Sequence, residues 1–93
     1  MNLNDLRLEH FEPLLTENFN LENSDVKLKL LEVKALKTHE GAARAAFSLL
    51  FSSPVPAPQG TYALHHEALG QLEVFLVPIK QDGAGVQLEG IFS

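Results

Sequence analysis

Between Pro58 and Ile79 the chain reads PQGTYALHHEALGQLEVFLVPI, two alternating runs on either side of a segment built to turn. In the first run Tyr62, Leu64 and His66 share one face, and Thr61, Ala63 and His65 the other. In the second, Leu72, Val74 and Leu76 face one way, and Gln71, Glu73, Phe75, Val77 and Ile79 the other. Period-2 spacing with β-branched and aromatic residues is the signature of a strand. Glu67-Ala68-Leu69-Gly70 is short enough to reverse the chain, and Gly70 adopts positive φ without steric cost. The second face becomes apolar after Glu73, which predicts burial on both sides toward the strand's end. Pro78 has no N–H to donate and suits a strand end or an edge.

The same alternation recurs along the chain. Asn18–Glu22 is a short strand, and Asn23-Ser24-Asp25 is turn chemistry, since these side chains bond their own backbone. Val26, Leu28 and Leu30 point inward against Lys27 and Lys29. The phase then shifts to Leu31, Val33 and Ala35, which predicts a β-bulge near Leu30-Leu31. Lys37–Ala42 is a polar loop. Residues 43–53 suit a helix on propensity, but Phe47, Leu49 and Phe51 alternate with Ser48, Leu50 and Ser52, and a strand over 45–53 is the better reading. The following SPVPAPQG, with its prolines, is an extended surface connection. Asp82-Gly83 signals a final hairpin, after which Val86, Leu88, Gly90 and Phe92 share one face. Near the start, Asn4 or Asp5 could cap one or two turns of helix around 7–15. These would lie against the sheet as a plug or lid, burying Phe11 and Leu14. Pro13 keeps that helix short.

A short helix and about six strands joined by hairpins form one mainly β domain over residues 1–93. An antiparallel meander of that size closes as a small barrel or a two-sheet sandwich. The chain is 45% hydrophobic, enough for a small core, and homo-oligomerisation is a ready way to add stability. It has no cysteine, so thiolate metal sites, disulfides and cysteine nucleophiles are excluded. The first ten residues lack a signal-peptide pattern and no apolar run reaches membrane-span length, which predicts a cytoplasmic protein without a membrane span. A net charge of −5 argues against nucleic acid as a partner. Lys27, Lys29, Lys34 and Lys37, interrupted by Glu32, read as a solvated strand face, with a weakly bound anionic partner as the alternative.

Several of these segments together resemble a family of small uncharacterised bacterial domains, filed as a domain of unknown function. The matching residues are Phe11, Pro13 and Leu14; Phe19 and Leu21; Phe47–Phe51; Pro58–Tyr62, Leu64 and His66; and Leu69, Gly70, Leu72 and Phe75–Pro78. The similarity covers nearly the whole chain. Its motifs are turns, aromatics and strand interiors, and it brings no catalytic activity with it. Some relatives lie beside genes for phage-tail-collar-like proteins, which implies an assembly or accessory role. Relatives tend to have His-Pro before the central turn; this chain has His66-Glu67.

The residues that could carry chemistry are few. His65 and His66 are adjacent, face opposite sides of a strand and cannot chelate one ion, while His10 and His39 lie far off in sequence; no metal site is expected. His66 reads as a partly buried histidine bonded to a backbone carbonyl or to the following turn. Ser48, Ser52, Ser53 and Thr61 lack a nucleophile motif, and Gly83-Ala84-Gly85 lacks the lysine and the helix of a phosphate loop. Glu9/Glu12 and Glu17/Glu22 read as solvated carboxylates. Phe19, Phe47, Phe51, Tyr62, Phe75 and Phe92 read as core. No cofactor is implied.

Three functions fit these features. The first is a non-catalytic protein-interaction or assembly domain, accessory to a phage-tail-like or surface structure, with strand edges open to β-augmentation. The second is a small-molecule or lipid-binding barrel lidded by the helix. The third is a histidine-dependent hydrolase or metal enzyme. His66 and Tyr62 are the two residues singled out for testing.

Overall fold

Each alternating run becomes a strand in the computed structural model, which describes residues 6–37, 40–41, 45–83 and 85–92. The strands are β1 (Asn18–Leu21), β2 (Lys27–Ala35), β3 (Phe47–Ser53), β4 (Gly60–His66), β5 (Gly70–Asp82) and β6 (Gly85–Phe92). Before them come one turn of helix, α1 (Leu8–Phe11), and a 3-10 turn, Glu12–Leu14. The backbone N–H of Arg7, at the start of α1, donates to His10 Nδ1 at 2.9 Å, so His10 closes its own helical turn. Pro13 lies at the start of the 3-10 turn, where its missing N–H leaves no gap. The caps expected at Asn4 or Asp5, His39 and the start of the 43–53 segment lie outside the described residues.

The strands close into a barrel in the order β1-β2-β3-β6-β5-β4, every pairing antiparallel. Closure settles the choice against a sandwich. The topology also departs from the expected meander. β3 lies beside β6, and β4 lies across the ring beside β1 and β5. The three-proline segment between β3 and β4 must therefore cross the mouth of the barrel, and Ala57 within it packs against the core. It is a cap on that end, where a plain surface connection was expected. Proline suits the role: the chain must stay extended there and has no sheet partner to donate to.

The opposite end is plugged by the helical turn, as its spacing predicted. Phe11 is fully buried, with ring centroids 6.5 Å from Phe19, 5.7 Å from Phe47 and 5.8 Å from Phe92. Phe47 and Phe92 stack at 4.7 Å, and Phe19 meets Phe51 edge-on at 5.3 Å. Leu28, Leu30, Leu49, Leu64, Leu72, Leu76 and Leu88 fill much of the remaining interior. Gly90 belongs to that inward row: a Cβ there would lie 3.0 Å from Leu76 and from Val74, so its bareness makes room for both side chains.

Two bulges set the strand phases. The first falls between Leu30 and Glu32, where it was expected, but it turns Leu31 outward instead of adding it to the inward row. Val33 is half-buried and Ala35 is exposed, because β2 has by then run to the rim of the barrel. The second bulge lies between Pro78 and Lys80. No described helix is long and apolar enough to cross a membrane.

Candidate functional site

His66 ends β4 with its side chain turned inward and 8% exposed, against the ring of Phe19 at 4.8 Å. Its Nδ1 accepts from the Ala68 N–H at 2.9 Å, inside the β4–β5 turn. Its Nε2 lies 2.8 Å from Glu17 Oε1. A carboxylate only accepts, so this pattern assigns the proton to Nε2. Both ring nitrogens are thus occupied by structural bonds, and neither a lone pair nor a free N–H is left to act on a substrate. Glu17 reaches this position through the link after the 3-10 turn. Thr16 takes φ +71°, its N–H donates to the Leu30 carbonyl, and the Leu30 N–H donates to the Glu17 carbonyl. His66 therefore latches the entry of β1 to the central turn. Among the described residues no three His, Asp or Glu side chains converge where they could hold a metal ion.

The expected bond from His66 to the following turn is present. Glu17, read as a solvated carboxylate, is its unforeseen second partner, and 49 residues of separation leave no local signal for it. A double-mutant cycle of Glu17→Ala and His66→Ala in urea unfolding is expected to give a coupling of about 1 kcal/mol, because the pair is half open to water. Tyr62 is half-buried at the other end of β4 and its hydroxyl donates to the Pro58 carbonyl, tying β4 to the proline cap. His65 points outward and is exposed.

The larger surprise is on the outer wall. Phe75, Val77 and Ile79 were expected to be buried, and Phe75 to be core. Instead Phe75 and Ile79 are each 53% exposed and Val77 is half-buried. β5 does have one apolar face covered, but no element of the described chain lies over the other. Ile91 on β6 is 63% exposed. Val77 pairs with Glu89, and Phe75 and Ile91 each lie two residues away along their strands on the same outward side. Leu50, half-buried on β3, lies across Glu89 from Val77. The result is an outer wall across β3, β6 and β5 on which Leu50, Phe75, Val77, Ile79 and Ile91 lie around Glu89. The signal for it was in the sequence, as the second face of β5 that turns apolar after Glu73.

The free edge beside this wall is guarded. β4 begins at Gly60, opposite Leu76, so β5 from Val77 to Asp82 has no β4 neighbour. That stretch holds Pro78, the Ile79 bulge and Lys80, three devices that discourage a foreign strand from pairing.

A family model described as Domain of unknown function (DUF6916) matches residues 6–92. No curated protein and no solved structure matches the chain.

Proposed function

The chain belongs to the DUF6916 family of domains of unknown function, and on that premise we propose that it is a non-catalytic docking domain whose protein partner seats on the outer wall of β5 and β6. The observation that carries this reading is the exposure of Phe75, Ile79 and Ile91 on one side of a barrel whose interior is already filled by its own side chains. Leaving such half-covered side chains in water forgoes roughly 1–2 kcal/mol each, which a partner surface recovers. The guarded edge of β5 favours docking by side chains on the wall over β-augmentation. A small domain of this kind suits an accessory seat in a phage-tail-like or surface assembly, where holding a neighbour is the whole task.

The test is photo-crosslinking in the producing cell. A benzophenone side chain at Ile91 is expected to give a discrete protein adduct, and one at the exposed Asn18 on β1, across the ring, to give none. Phe75→Asp is expected to abolish the adduct while changing unfolding free energy by less than about 0.5 kcal/mol, since the side chain points outward. An adduct joining two copies identifies the partner as the chain itself. An adduct that survives Phe75→Asp overturns the assignment of this wall.

A further inference from the structure

Where β2, β3 and β6 meet near the proline-capped end, the outer surface forms an open groove of about 380 Å³. Lys27, Lys29, Ser52, Pro54, Gly85 and Gln87 line it. The register pairs Lys29 with Ser52, Ser52 with Gln87 and Gln87 with Lys80. One row across four strands thus presents an ammonium, a hydroxyl, an amide and a second ammonium, with no carboxylate among them. Lys27 precedes Lys29 by two residues on the same face, about 7 Å along the strand. Its Nζ donates to Asn20 Oδ1 at 2.9 Å, which holds the ammonium in place with two N–H donors still free. Lys27, Lys29 and Lys80 are three of the seven Lys and Arg residues on a chain of net charge −5. Lys27 and Lys29 line the groove itself, and Lys80 ends the row on β5 beyond Gln87, so three cations share one outer face near the proline-capped end.

We propose that this groove receives an acidic, extended segment of a partner protein, with carboxylates two residues apart facing Lys27 and Lys29. The repeat of an extended chain is also about 7 Å per two residues, so one strand-like segment meets both ammonium groups in step. Ser52 and Gln87 offer hydrogen bonds between the two charges. Phosphate fits less well: the lining has no arginine fork, and Pro54 has no N–H to contribute to a backbone cradle. The inference rests on the docking reading and deepens it, because Gln87 of the groove pairs with Lys80, the residue after Ile79. A partner motif would then be acidic at one end and apolar at the other.

Amide chemical-shift titration of the labelled protein tests this with three probes: a blocked peptide alternating Glu and Val, its Gln-for-Glu counterpart, and inorganic phosphate. Saturable shifts at Ser52, Gly85 and Gln87 are expected with the Glu peptide. Binding is expected to weaken at least tenfold with the Gln peptide, with Lys29→Gln, and in about 1 M salt, where the Debye length falls to about 3 Å. Equal or stronger shifts with phosphate at the same amides overturn the proposal in favour of a simple anion site. Unchanged peptide binding in Lys29→Gln also overturns it. Phe75→Asp separates the two readings: it removes the photo-adduct if the wall docks a protein, yet leaves peptide binding in the groove intact.

Discussion

Phe11→Ala is expected to lower the unfolding free energy by about 3–5 kcal/mol, read from the urea midpoint at unchanged slope. Phe11, on the N-terminal turn, reaches the rings of β1, β3 and β6 together. Removing it empties the space between Phe19, Phe47 and Phe92, and a four-residue helix has no stability of its own with which to stay docked. For a domain of 93 residues, whose total stability is on the order of 5–14 kcal/mol, the loss is a large share of the whole. Phe75→Ala removes the same atoms from the outer wall, and its expected cost is below about 0.5 kcal/mol. Near-equal costs at the two positions would mean that the helical turn contributes no plug, or that β5 is covered on both sides.

That contrast marks where the sequence speaks and where it is silent. Alternation reports which residues share a face, and it placed all six strands and the Leu30 bulge, while helical spacing placed the plug. It does not report whether a second apolar face is covered by the same chain. The face of Phe75, Val77 and Ile79 has the same pattern whether buried by a neighbouring element or left for a partner, so the expectation of burial failed where the candidate site lies. The ring order was hidden for a related reason. Hairpin signals mark neighbours in sequence, and nothing local in the three-proline segment says that it crosses the barrel mouth. His66 was half legible. Its bond to Ala68 is two residues away and follows from turn chemistry, whereas Glu17 is brought to it only by barrel closure between β1 and β4.

Gly85→Ala is expected to destabilise the domain by about 3 kcal/mol or more, although it adds a single methyl group near the tip of a hairpin. Two costs coincide there. The residue holds φ +143°, a conformation that residues with a Cβ rarely adopt, at a strain of roughly 1–3 kcal/mol. The added Cβ would also lie 2.0 Å from the Ser53 carbonyl oxygen and 3.3 Å from Pro54 Cα, both backbone atoms that no rotamer change can move aside. Relief requires β6 to lift away from the end of β3, which breaks the Ser53↔Val86 pairing and opens the wall of the lysine groove. Gly83→Ala, two residues earlier in the same hairpin, has nothing within 4 Å of its Cβ and is expected to cost little. Measuring both by urea unfolding separates hairpin flexibility from the close approach at Ser53. A Gly85→Ala cost no larger than that of Gly83→Ala would show that β6 does not rest on the Ser53 carbonyl. Because the same glycine lines the groove, a folded Gly85→Ala protein is also expected to lose the Ser52 and Gln87 shifts with the Glu peptide, so the close approach of β6 to the end of β3 and the proposed partner's seat depend on one missing side chain.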